Sequence, residues 1–336
     1  MDQKKVVDRH LEQYIFDTIR YFDIFEMPVT ATQIWRSLVV TRSGTGVRWQ
    51  GQRVVSLRQL REALQRSRWL KERMENCWGY YCLRGAGSGS SGGVRGYVRR
   101  RLVRHILAQY KWKIARRVVR LLAPLPFVRM IGVTGSLALG HTRPASDLDL
   151  FIIVRRGRIW TARLWLLLVT QLMGRRRKHW NEEAPDKICL NHYIVDSSLT
   201  MAAEIRNLYT AVLYTQAIPL TGLSMYRRWI AANGQWMRRW LMYPAAPILA
   251  WRQAVKTPRL AWLMQRWAES LLLEPIGGGL EWVAEKVQRR TMLLHADPGR
   301  AGRVVVSDTE LAFHPDSKES HVLRRFAEEY GQGRLL

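Results

Sequence analysis

Two acidic side chains separated by one residue, Asp147 and Asp149, sit at the head of an apolar run, Leu150-Phe151-Ile152-Ile153-Val154. In an extended strand, residues two apart project from the same face, so the two carboxylates point together while Leu148 and Leu150 point the other way into a core. Paired carboxylates repel and raise each other's pKa unless a cation lies between them. Mg²⁺ is held by one or two carboxylates and completed by substrate phosphates, which makes this pair a candidate metal site. Upstream, a second apolar run, Phe127 to Val133, ends in Gly135-Ser136. Glycine lacks the Cβ that keeps backbone N–H groups away from a phosphate. A phosphate cradle at Gly135 and Ser136, with Ser146 beside the acids, next to metal ligands Asp147 and Asp149 makes a site for a nucleotide and its cation.

The elements that must hold these residues are two adjacent strands joined by a small-residue turn and a loop. Lys187 to Val195 reads as a third strand carrying Asn191 and His192, with Asp196 at its end. The order Gly135-Ser136, ten residues, Asp147-x-Asp149 and an apolar strand resembles the nucleotidyltransferase core of the DNA polymerase β superfamily. That resemblance implies that Gly135 and Ser136 hold a triphosphate, that Asp147 and Asp149 bind Mg²⁺ or Mn²⁺, and that NMP passes from an NTP to an acceptor. It also implies a third carboxylate on the third strand. There the pattern departs: Asn191 can ligate through its carbonyl but cannot accept a proton, His192 can act as a base, and the nearest acid is Asp196. The expected catalytic set is therefore Asp147, Asp149 and Asp196. A wider likeness to prokaryotic nucleotidyltransferase-domain proteins rests on Phe25, Pro28, Val29 and Thr30, on Pro126 to Met130, and on Lys187 to Asn191.

Around this core the chain reads as α+β: a small mixed sheet with flanking helices, a winged-helix-like domain before it and a mainly helical region after it. The expected divisions are 1–84, a Gly/Ser linker at 85–95, the core with a leading basic helix at 96–198, and 199–336. Helical spacing covers 10–26, with Pro28 as a breaker, and Thr30 and Ser56 are N-cap residues for the next helices. The intervening 39–55 reads as loop, and Trp69–Glu72 and Gly79–Leu83 as a hairpin. Three helices and a hairpin suit nucleic-acid binding through the third helix, with Arg58, Arg61, Arg66 and Arg68. The helix at 96–122 takes Tyr97, Leu102, Ile106, Leu107, Tyr110, Ile114 and Leu121 as its apolar side and is otherwise basic. Arg175 to Lys178 reads as a solvated loop, with attraction of a polyphosphate or RNA as the alternative, Pro219 as a helix break, 244–258 as Pro-rich, and 259–293 as helical with a Gly277-Gly278-Gly279 interruption. Val304–Val306 reads as a last strand and 317–330 as a closing helix.

Composition bounds the partners. Hydrophobic residues make up 47% of 336, which excludes general disorder. Fifty-four Lys and Arg oppose 27 Asp and Glu, a net charge of +27 that attracts nucleic acid or acidic lipid surfaces. Cys77, Cys82 and Cys189 show no paired metal spacing, and one is left over from any disulfide, which favours a reducing, cytoplasmic setting. Ile159 to Met173 is shorter than a bilayer span and contains Arg163, so it reads as a buried helix rather than a transmembrane segment. Fifteen tryptophans, often beside arginine, read as core and cation–π packing. A second function class stays open: a catalytically weak protein of the same fold, acting as a nucleic-acid or partner-binding module.

Overall fold

The computed structural model describes residues 3–40, 54–89, 92–177, 183–243, 253–294, 303–314 and 317–328. Most of the 39–55 loop, Lys178 of the basic run, and residues 244–252 of the Pro-rich stretch lie outside the described residues.

The N-terminal part begins with α1 (Gln3–Asp23), followed by β1 (Val29–Thr30), α2 (Ala31–Arg36), α3 (Leu57–Arg66) and α4 (Arg68–Arg73). A hairpin of β2 (Met74–Cys77) and β3 (Tyr80–Leu83) follows, and β1 pairs with β3 to complete a three-stranded sheet in the order β1-β3-β2. Thr30 and Ser56 each close a capping box, with Gln33 and Gln59 returning the hydrogen bond to the cap backbone. Residues 69–72, read above as a strand, are helical in α4. Ser67 caps that helix, and the strand starts only at Met74. Within the Gly/Ser segment, Gly87 is buried against the backbone of Gly93 and Val94.

The central sheet has the order β7-β4-β5-β6-β9-β8, built from β4 (Val128–Val133), β5 (Leu148–Val154), β6 (Ile188–Val195), β7 (Ile218–Thr221), β8 (Arg303–Val306) and β9 (Glu310–His314). Among these six strands, β5 and β6 pair in parallel, connected by α7 (Ile159–Leu172), and the other pairs are antiparallel. α6 (Gly135–Ala138) follows β4 directly. The region after 199 is mostly helical, with α8 (Leu208–Thr215) and α9 (Leu223–Met237), yet it also supplies β7, β8 and β9. Pro219 lies not in a helix but in β7, an edge strand, where proline is tolerated.

Strand alternation sorts the core. Leu148, Leu150, Ile152 and Val154 pack with Tyr193 and Val195 under α7 and α5 (Gly93–Leu122). Phe151, Ile153 and Ile194 face the other way, toward α1, α8, α9 and α12 (Glu319–Glu328), in a cluster with Phe22, Tyr214, Trp229 and Phe326. On α5 the expected sides are partly exchanged. Ile106, Tyr110 and Leu121 are exposed, while Arg101 and Lys111 are buried. Two further helices, α10 (Arg259–Leu271) and α11 (Ile276–Leu294), lie against the α7 side. Among the described residues, no helix is long and apolar enough to cross a membrane.

Candidate functional site

The site forms where β4 ends and β5 begins. Asp147 immediately precedes β5 and Asp149 is its second residue. Ligating atoms of Asp147, Asp149 and Cys189 all lie within 4.8 Å of one another. Gly135 follows β4 with φ +64, a conformation glycine adopts without strain. A Cβ there would stand 2.6 Å from Asp149 Oδ2, so no other residue type lets the turn approach the carboxylate this closely. The Thr134 N–H donates to the Asp149 carbonyl (3.1 Å), fixing the turn to the strand. Ser136 lies in the same turn and, with Gly135, Asp147 and Asp149, lines a cleft of about 960 Å³. Such a volume suits a nucleotide-sized ligand.

The loop between turn and acids is clamped by α5. Arg101 holds the carbonyls of Gly140 and Leu139. Lys111 donates to the carbonyls of Pro144 (3.1 Å) and Ser146 (2.6 Å) and to Asp186 (2.8 Å). Ser146 lines the cleft, but its Oγ accepts the Arg143 N–H (3.0 Å), so it braces the loop. Against Arg104, His141 is buried. Burial, with Arg101 and Arg104 beside it, drops its pKa to about 3 and keeps it neutral.

On β6 the register slips by one residue between its pairs with Asp149 and Phe151. Leu190 and Tyr193 belong to the cluster on the far face, so Asn191 and His192 both fall on the near face, as at a β-bulge. Asn191 Nδ2 donates to Asp149 Oδ1 (2.9 Å). His192 is instead turned into the core, between Glu310 (2.9 Å) and the hydroxyl of Tyr214, and packs on Phe151. Burial lowers its pKa despite Glu310. Asp196 is at the other end of the sheet. Its N–H bonds to Val154 and its Oδ1 accepts from the Arg156 N–H (2.9 Å). Five residues of strand separate Val154 from Asp149, about 17 Å. Asp196 therefore does not join the acids, because β6 runs parallel to β5 and carries its last residue away from them.

Two residues absent from the sequence expectation stand in the site. Arg177, from the basic run read as solvated, reaches Asp147 Oδ2 at 2.5 Å. The backbone places it there, since the Arg177 N–H donates to the Ile188 carbonyl (3.1 Å). Charge density gave no hint of this. Cys189 precedes Asn191 by two, so strand periodicity alone puts it on the same face.

Burial pushes the Asp149 pKa up to about 7, and the neighbouring Asp147 charge adds to this. Arg177 and the hydrogen bonds from Asn191 and Cys189 oppose it. Burial, followed by both carboxylates, holds the Cys189 thiol well above its ordinary value, so it stays protonated. Burial works against the Arg177 charge, but Asp147 and Cys189 together outweigh it and the pKa is raised. Two carboxylates kept side by side, one electrostatically frustrated, and an amide whose oxygen ligates once the group is flipped make an oxygen-rich donor set that fits a divalent cation.

No curated protein and no solved structure shows significant similarity to the chain. Residues 113–192, from within α5 through His192, match the family described as the nucleotidyltransferase domain, and this stretch contains the glycine-serine turn, both acids, Arg177, Cys189 and Asn191. The chain thus carries a nucleotidyltransferase domain, set in a mixed α+β sheet.

Proposed function

We propose that the cleft binds an NTP with Mg²⁺ or Mn²⁺ and transfers NMP to an acceptor. The observation that carries this reading is the convergence of Asp147 and Asp149 on the Gly135 turn inside a nucleotide-sized cleft. Asp147 and Asp149 would hold the cation, which when bound neutralises charge on the phosphates and on the leaving pyrophosphate. Gly135 and Ser136 offer the triphosphate the start of a helix, where the first N–H groups have no partner within the helix. Arg177 holds Asp147 in place through its ion pair. Asn191 positions Asp149 and takes no proton, so transfer to a neutral hydroxyl is expected to be slow. The test is incubation with each α-labelled NTP, Mg²⁺ or Mn²⁺, and pooled RNA, proteins and metabolites. Labelling that disappears in Asp147→Asn supports the assignment; labelling retained by that variant refutes it.

The Asn191 contact also favours a second reading, in which the fold binds rather than catalyses. The N-terminal arrangement of α1, β1, α2, α3 and the β2–β3 hairpin suits a winged helix. Arg58, Arg61 and Arg66 are exposed on α3 for nucleic-acid phosphates. This reading expects salt-sensitive mobility shifts that are indifferent to Asp147→Asn, and no shift at low salt rules it out.

A further inference from the structure

The two helices α10 and α11 are inverted relative to a usual surface helix, which buries its apolar stripe. On α10 the polar residues face the protein. Gln265 Nε2 donates to the carbonyls of Leu125 (3.0 Å) and Val128 (2.9 Å), and Glu269 accepts from the Phe127 N–H and pairs with Arg129, both at 2.7 Å. On α11, Glu281 accepts the N–H groups of Trp160 (2.9 Å) and Thr161 (2.8 Å) at the start of α7, and Gln288 bonds to the Trp160 carbonyl (2.9 Å). Ala284 and Met292 of α11 pack inward, but most of the large apolar residues are left outside. Leu260, Met264, Trp267 and Leu271 are 69, 63, 70 and 72% exposed, and their spacing of three and four makes one stripe of α10. Ile276, Val283 and Val287 form the corresponding stripe of α11, at 67, 49 and 58%.

Charge follows the same division. The acids Glu269 and Glu281 are spent inward, while Arg259, Arg266, Lys286 and Arg290 are exposed. Arg266 lies over the ring of Trp262 and Lys286 over that of Trp282, both rings exposed, so the tryptophan–arginine packing expected in the core here occurs at the surface. An outward stripe of aliphatic side chains, bordered by tryptophan and by cations, is the composition of a helix that lies in the headgroup region of an anionic bilayer. A second copy of the chain is a poorer partner, because each carries a net charge of +27 and the two repel. We propose that α10 and α11 form a peripheral docking face for an anionic lipid surface.

The experiment is co-sedimentation of the full chain with vesicles of phosphatidylcholine alone and of phosphatidylcholine with phosphatidylglycerol at about 3:1. The expected result is partition onto the anionic vesicles, weakened by salt, with little on the neutral ones. The paired substitution Met264→Ser and Trp267→Ser, at exposed positions and hence without effect on melting, is expected to weaken partition about tenfold or more, equivalent to about 1.4 kcal/mol per factor of ten. No partition onto anionic vesicles overturns the proposal. So does equal partition of the paired variant, which assigns binding to charge alone. A dimer that the paired variant dissolves also overturns it, because a second copy then covers the face.

Discussion

Strands β5 and β6 are parallel neighbours, both largely buried, and their chemistry differs. β5 alternates without interruption, so one face takes Leu148, Leu150, Ile152 and Val154 and the other begins with Asp149. β6 carries the slip at Asn191 and His192, which sets an amide against Asp149 and drives an imidazole into the core. The regular strand delivers the acids as its pattern dictates. The irregular one decides what stands opposite them, and a single residue of register separates a proton acceptor in the cleft from one sealed behind Tyr214.

The comparison can be broken most severely on β5. Asp147→Asn and Asp149→Asn are each expected to abolish NTP-dependent labelling, by about a hundredfold or more, while circular dichroism stays unchanged. On β6, Asn191→Asp is expected to strengthen Mg²⁺ binding by roughly tenfold, read by calorimetry, and to lower the metal-free melting temperature by adding a third negative charge beside Asp147 and Asp149. Arg177→Ala leaves Asp147 without its cation. A loss of about 1–3 kcal/mol in metal-free stability is expected by denaturant titration, partly restored by Mg²⁺.

A smaller effect is a pH dependence. The folded Asp149 pKa, about 7, stands above the ordinary carboxylate value near 4, so the folded state binds the extra proton between those limits. Its contribution to stability is full below about pH 4 and is lost as pH rises through 7. Relative to Asp149→Asn, the wild type should lose on the order of 5 °C in melting temperature across that window without metal, and less with it. A flat difference would show that Asp149 is ionised throughout. Smallest is His192→Gln, expected to leave labelling unchanged and to cost about 1–2 kcal/mol from the lost contacts to Glu310 and Tyr214.

Much of the site was legible in the residue order because it is local. Asp147 and Asp149 are brought together by the period of one strand, and Gly135 is marked by the backbone conformation only glycine holds easily. Thr30 and Ser56 cap their helices through partners three residues away. What could not be read depends on distant chain. The third-strand slip, the reach of Arg177 to Asp147 and the burial of Lys111 beneath Pro144 and Ser146 each join segments that helical or strand spacing leaves independent. Trp69 to Glu72 illustrates the opposite failure: the segment reads as a strand of a hairpin, but the Ser67 cap starts a helix there.

By itself, then, the sequence determined which strand bears the acids, which turn approaches them and that the surface is strongly cationic, since these follow from short-range geometry and from composition. The tertiary structure alone decided that Asp196 points away, that Asn191 meets Asp149, that β7, β8 and β9 complete the sheet, and that α10 and α11 turn their polar sides inward. Those outcomes rest on hydrogen bonds and packing between residues far apart in the chain, where the same side chain costs or gains free energy according to what lies across from it.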